Sequence, residues 1–406
     1  MKAVVSTLLA AVAFLAAGCG PDSPSPTDVP DPSAKQPVLA SAVAAAALTF
    51  TQISSGAYHS CGLVGDGKAY CWGLNADGQL GDGTRTKRSR PRAVSGNLRF
   101  AQISAGTTHT CGVTTTNEAW CWGLNDFGQL GNARLSTFLV PDRVRGSRAF
   151  RQISVGFRHT CAVTTADVPF CWGDNTTWGQ LGTGTGLNSG VPVKVAGGLK
   201  VRRVSAADGH SCVVTRADKA YCWGTGQNGA LGDGTLEQRN TPVPVAGGHS
   251  FRLIAAGGGT TCGLTPSNVA WCWGHNAEGQ VGDRSDTRRL VPSRVSGGLQ
   301  LKQAIAGLHS CGVTTGNQAY CWGHNFAGGI GDGTETNRLV PTAVAGGRSL
   351  SGISPGAHHT CALTPAGKAY CWGHNAYGQV GNGGGGTDTG SGFPVVLKPV
   401  AVIGPA

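Results

Sequence analysis

The sequence predicts an all-β chain folded as a seven-bladed β-propeller of four-stranded antiparallel blades, and three observations carry that expectation. The first is self-similarity. HSCGLVGDGKAYCWG, residues 59–73, returns six times, and the first cysteine of each copy falls at 61, 111, 161, 212, 262, 311 and 361. A period that holds within one residue of fifty marks a repeat architecture. The second is the content of a copy: four short β-type runs separated by turns, as in a radially packed blade. The third is composition. Glycine supplies 66 of 406 residues and charged residues only 13%, where ordinary soluble domains carry about 25%. That excludes coiled coils and helical bundles. With 40% hydrophobic residues and ten tryptophans, the chain can bury a core, which argues against disorder. A linear β-solenoid is the structural alternative, but seven is a natural closing number and no copy looks like a cap.

Residues 1–18 are expected to form a lipoprotein signal peptide. Lys2 precedes an apolar stretch from Ala3 to Ala17, too short for a membrane span. The ending Ala16-Ala17-Gly18-Cys19 resembles a bacterial lipobox, which would make Cys19 the acylated residue and place the protein at the cell envelope, lipid-anchored in the outer membrane or at the cell surface. Ala16 stands where Leu is usual, so simple secretion stays open. Residues 19–38 hold the proline run PDSPSPTDVPDPSAKQP, read as an extended, semi-rigid tether. The repeat body is expected over 39–406, with copies starting near 48, 98, 148, 199, 249, 299 and 348.

Within the first copy, Phe50 to Ser54 alternates apolar and polar residues and stops at Gly56. His59 to Val64 follows, then the Gly65-Asp66-Gly67 turn, then Lys68 to Trp72. A loop rich in glycine and asparagine, residues 74–84, leads to a fourth run at Pro91 to Val94. In the last copy Phe393 to Leu397 is the expected fourth strand, and Val38 to Leu48 is a candidate edge strand beside it.

Fourteen of the fifteen cysteines form pairs ten residues apart: Cys61 and Cys71, Cys111 and Cys121, Cys161 and Cys171, Cys212 and Cys222, Cys262 and Cys272, Cys311 and Cys321, Cys361 and Cys371. Each pair is symmetric about a hairpin tip, so both side chains share one sheet face and can join as a cross-strand disulfide. Reduced pairs are the alternative; a zinc site is disfavoured because one hairpin supplies only two sulfurs. An aromatic precedes every second cysteine and is expected to cover the glycine opposite, as Tyr70 over Gly62. Histidine recurs at 59, 109, 159, 210, 309 and 359, with Thr260 in the fifth copy. Near-identical surroundings suit a structural hydrogen bond to backbone better than catalysis. The Asp-Gly-Thr turns at Asp82, Asp233 and Asp332 read as turn formers rather than calcium ligands.

The pattern Gly-x-x-His-Ser/Thr-Cys…Trp-Gly-x-Asn-x-x-Gly-Gln-Leu-Gly resembles the regulator of chromosome condensation repeat family of seven-bladed propellers, over roughly residues 48 to 400. The resemblance implies fold far more strongly than function. The family's namesake is an exchange factor for a small GTPase that also binds nucleosomes, so a guanine-nucleotide exchange factor-like activity is one alternative. That activity resides in a β-wedge for which no copy here has room. Exported bacterial members resemble the seven-bladed β-lactamase inhibitory protein, which binds a protein through one propeller face.

No nucleophile elbow, zinc-protease motif or phosphate loop is present, so no catalytic residue, metal or cofactor is assigned and the chain is not expected to be an enzyme. A polysaccharide-active envelope enzyme is the second alternative. The expected role is a non-catalytic interaction module, a monomer whose partner is an unknown protein or an anionic envelope surface, with nucleic acid disfavoured by location. Net charge is +11, and residues 85–92 are strongly basic; solvated loop charge is the plain reading of that run. The loops between first and second strands, and between third and fourth, leave on one face and carry most of the variation between copies. Tyr58, Phe157, Arg158, Trp178, His275, His324, His358 and His374 are the candidate partner-binding residues there. His275, His324 and His374 sit on consecutive blades; a shared metal is the disfavoured alternative, because equivalent positions on neighbouring blades are expected to lie too far apart.

Overall fold

A computed structural model describes residues 48–388 and 392–405. Cys19, the expected signal and tether over 1–38, and all but the last residue of the Val38–Leu48 segment lie outside the described residues. Leu48 itself precedes the first strand.

Each repeat becomes one blade. In the first, β1 (Phe50–Ser55), β2 (His59–Val64), β3 (Ala69–Gly73) and β4 (Arg88–Ala93) pair antiparallel in chain order. Six blades follow with the same order. The hairpin register pairs Cys61 with Cys71 and Gly62 with Tyr70. All seven intrablade disulfides are present, the first with its Cα atoms 4.1 Å apart, as the closer antiparallel pairs allow. The fourth strand starts three residues earlier than the sequence suggested, because a register irregularity lets Gly73 pair with Arg88. In the seventh blade that strand is longer than expected, Pro394–Ala401, and a two-residue strand, Thr387–Asp388, adds to its outer edge.

The core lies between blades rather than within them. Cys61, Leu63, Cys71 and Leu80 of the first blade pack against Phe100, Ile103 and Trp122 of the second. The ring closes the same way: Phe50 and Trp72 pack on Cys361, Cys371 and Val380. Gly62 is required here, but by a different ring from the one expected. A Cβ at Gly62 would stand 2.5 Å from Phe50 Cδ1, so the first-strand phenylalanine covers this glycine, not Tyr70.

The Gly-Gln-Leu-Gly segment, which recurs with small changes in every copy, is the socket for the next blade. Trp122 Nε1 donates to the carbonyl of Gln79 at 2.9 Å, and Thr110 Oγ1 donates to the same oxygen at 2.8 Å. Gly81 has φ +69°, and a Cβ there would meet the Trp122 indole at 2.7 Å. The buried indole N–H thus has its partner, and the carbonyl uses both lone pairs. The histidines were expected to bond backbone; they bond side chains instead. His59 Nε2 lies 2.8 Å from Thr110 Oγ1 on the next blade, and His109, His159, His210, His309 and His359 repeat this.

Around the central channel two further side chains join blades. Gln52 donates to the Ile103 carbonyl and accepts from the Ile103 amide, and Gln102, Gln152 and Gln303 do the same. Ser54, Ser104, Ser154, Ser205 and Ser354 each accept from an amide of the following blade. The fifth blade has Leu253, Ala255 and Thr260 at the glutamine, serine and histidine positions.

Candidate functional site

The loops after first and third strands share one face of the ring, as expected. The longer loop is internally tied. Asn75 Oδ1 accepts from the Leu80 amide, and its Nδ2 donates to the carbonyls of Thr84 and Thr86. Asp82 accepts from the Thr84 amide and hydroxyl and pairs with Arg88 at 2.9 Å. Burial opposes ionisation of Asp82, but the bonds from Thr84 and Arg88 outweigh it and hold the carboxyl below its usual range. The turn-former reading of Asp82, Asp233 and Asp332 fits these contacts. Arg239, Arg289 and Arg338 repeat the pair with Asp233, Asp283 and Asp332. Part of the basic run at 85–92 is therefore spent inside its own loop. The six-residue Asp–Arg spacing was readable in the sequence and was missed.

Held by these loops, aromatic and imidazole side chains gather where the sixth, seventh and first blades meet. Tyr58 lies 6.4 Å from His358, 6.0 Å from His374 and 5.5 Å from Tyr377, centroid to centroid. His324 and Phe326 both approach His358, at 5.8 and 5.2 Å. Phe393 joins through Phe326 and His374 at 5.6 and 4.6 Å. Phe326 is 41% exposed, so the patch reaches solvent. Burial holds His358 down at about 4, with His324 and His374 adding to the effect. Burial also lowers His324 and His374. The patch is therefore uncharged near pH 7 and can meet apolar or aromatic surface without desolvating a cation.

Four expected residues, Tyr58, His324, His358 and His374, thus form one cluster. Phe157 and Arg158 form another: the Arg158 guanidinium stands 4.8 Å from the Phe157 ring and 4.7 Å from Phe127 of the preceding blade, a cation–π sandwich. Trp178 packs over Gly209, where a Cβ would meet its Cε3 at 2.6 Å. His275 stands apart, accepting at Nδ1 from Gln280 Nε2 at 3.1 Å with Glu278 3.7 Å away. Phe127, Phe326, Tyr377 and Phe393 were missed. Phe127 and Tyr377 share a loop position, just before Gly-Gln, with Asp77, Trp178 and Glu278, and the variation there was the available signal.

Tyr58, Phe157, Trp178, Asp208 and His358 ring one mouth of a central channel of about 750 Å³ lined by the first strands. Burial raises the Asp208 carboxyl. Among the described residues lining the channel it has no second carboxylate beside it, so the paired acids of glycoside hydrolysis are not assembled there. Among the described residues, no group of three or more histidine, cysteine, aspartate or glutamate side chains is placed to hold a metal, and no helix is long and apolar enough to cross a membrane.

A family model of the RCC1-like domain matches residues 16–311, and models of the regulator of chromosome condensation (RCC1) repeat match 317–363 and 352–379. The chain belongs to the RCC1-like domain family. Among solved structures, this RCC1-like chain is similar to Prp20p of Saccharomyces cerevisiae at 19% identity, covering 87% of each chain with a TM-score of 0.72. That structure is described together with the protein's binding to Gsp1p and histones. Human WBSCR16 is similar at 21% identity over 78% of this chain and 86% of its own, TM-score 0.71. The CRINKLY ectodomain of the Arabidopsis thaliana receptor kinase ACR4 is similar at 18% identity over 80% and 97%, TM-score 0.53. At these identities the likeness concerns fold.

Proposed function

We propose that this RCC1-like propeller is a protein-interaction module of the cell envelope, and that its binding surface is the face of the long loops, anchored by Tyr58, His324, Phe326, His358, His374, Tyr377 and Phe393. One observation carries the reading: seven aromatic and imidazole rings converge, uncharged and partly exposed, at the rim of a channel mouth. Rigid rings on loops tied down by Asn75-type hydrogen bonds lose little entropy on binding, and aromatic residues supply most hot spots. The Phe127–Arg158–Phe157 sandwich offers a second anchor on the same face. The family supports the reading too, since a solved relative, yeast Prp20, is seen with Kap60 bound. The envelope location rests on residues 1–38 and on Cys19 as the lipidated residue.

The experiment is capture of partners from envelope extract with the wild-type chain, a Tyr58→Ala/Phe326→Ala/Tyr377→Ala variant and a Lys200→Ala variant on the opposite face. Partners retained by wild type and Lys200→Ala but lost by the triple variant are expected. The same partners in equal amounts on all three would overturn the assignment. Cys19→Ala is expected to move the protein from the membrane to the soluble fraction; unchanged fractionation removes the anchor.

A further inference from the structure

The other end of the channel has a different chemistry. The ring position filled by Gln52, Gln102, Gln152 and Gln303 is Arg203 in the fourth blade. Arg203 cannot make the paired amide bond that glutamine makes to the next blade, and it is exposed at the channel end. There it joins Arg151 and Arg202 along a hollow of about 810 Å³, whose far wall holds Asp66 and Thr115.

The nearby carboxylates are already committed. Asp167 serves both Arg151, at 2.9 Å, and Arg216, at 2.7 Å. Asp218 pairs with Arg202 at 2.8 Å. Asp66 holds Lys68 at 3.3 Å and stands 3.9 Å from Arg99. Arg252 spends its donors on Asn268 and the carbonyls of Leu301 and Lys302. Among the described residues no carboxylate lies within ion-pair distance of Arg203, and its guanidinium donates to no protein group. Arg203 thus stands at the solvent-open channel end beside Arg151 and Arg202 with no ion-pair partner of its own. The cations beside it already hold Asp167 and Asp218, which leaves Arg203 as the guanidinium without an anion.

We propose that this end of the channel is an oxyanion site, centred on Arg203 and flanked by Arg151 and Arg202, that takes a phosphate or phosphate-ester group. A guanidinium offers a planar fork matched to two phosphate oxygens, and the Arg151 and Arg202 cations add long-range attraction. Two sources share that chemistry: a soluble phosphorylated compound and an anionic lipid headgroup. The lipid source rests on the envelope reading; the site itself does not.

The test uses the full chain with Cys19→Ala, so that acylation plays no part, alone and with Arg203→Gln. Glutamine is the residue of four other blades and is expected to leave the melting temperature unchanged or raised. One arm measures inorganic pyrophosphate by calorimetry; the other measures partition onto phosphatidylglycerol–phosphatidylcholine vesicles against phosphatidylcholine alone. Wild type is expected to bind in at least one arm, with Arg203→Gln weaker by about tenfold or more, and Arg203→Lys between them. Pyrophosphate binding lost in Arg203→Gln assigns a soluble ligand; vesicle binding alone lost assigns the headgroup. No binding in either arm, or equal binding by a folded Arg203→Gln chain, overturns the proposal.

Discussion

His59 Nε2 donates to Thr110 Oγ1 across 2.8 Å, and the direction is set by the hydroxyl, whose one proton goes to the Gln79 carbonyl. The imidazole must therefore be the Nε2–H tautomer. Its Nδ1 is left buried without a hydrogen-bond partner, as are those of His109, His159, His210 and His359. A ring in that setting stays neutral: burial holds His59, His109, His159 and His309 down at about 3 and His210 at about 4.

Acid stability follows from that sign. Unfolded histidine takes its proton near 6.5, whereas the folded rings refuse it until about 3 to 4. The unfolded state binds more protons throughout that window, so stability is full above pH 6.5 and falls as pH drops toward 3. Each histidine contributes a slope of about 1.4 kcal/mol per pH unit. Denaturant unfolding at pH 7.5, 5.5 and 4.5 should show the loss, and His210→Gln should flatten it. A stability independent of pH across this range would refute the neutral tautomer.

The seam between the fifth and sixth blades should open first. Leu253, Ala255 and Thr260 remove all three joints, of which every other seam keeps at least two, although Trp322 Nε1 and Ser310 Oγ still donate to the Gln280 carbonyl. Hydrogen exchange is expected to be fastest, among first strands, at Leu301–Ile305. Leu253→Gln combined with Ala255→Ser should stabilise the protein by roughly 3 kcal/mol, about 1 for each of the three hydrogen bonds restored. Uniform exchange across the first strands would remove the weak seam.

Gly81→Ala should destabilise strongly. It places a side chain at φ +69° and pushes a methyl into the Trp122 indole. Overpacking and strain together are worth about 2–4 kcal/mol. Gly96 has φ +89° with nothing within 4 Å of its would-be Cβ, so Gly96→Ala isolates the backbone cost at about 1 kcal/mol. Thermal melts of the two variants separate packing from strain; equal losses would show that the indole contact carries nothing.

Disulfides are expected to add stability one hairpin at a time. Non-reducing peptide mapping should recover Cys61 linked to Cys71 and the six later pairs. Loops of this length constrain the unfolded chain by roughly 2–3 kcal/mol each in the chain-entropy picture. Cys61→Ala/Cys71→Ala should lower stability by at most that amount, and free thiols in most hairpins of protein prepared without reductant would contradict the pairing.

The seven-blade count, the strand order and the cysteine pairing were legible in the sequence because all depend on local spacing. A hairpin centred on Asp66 brings Cys61 opposite Cys71 by the two-residue period of a strand, with no long-range information needed. The partners of the histidines, the ring that covers Gly62 and the role of Gly-Gln-Leu-Gly were not legible. Each is a contact between blades, about fifty residues apart, and only the packing angle between sheets decides which atoms meet. Variation between copies marks the loop face as a candidate, but it does not show that rings from three blades gather at one place on it. Closing the ring brings Tyr58 of the first blade against His374 and Tyr377 of the last, a proximity that no linear spacing contains. Packing of the third blade on the fourth likewise brings Arg151 beside Arg202 and Arg203 at the far end of the channel, across about fifty residues of chain.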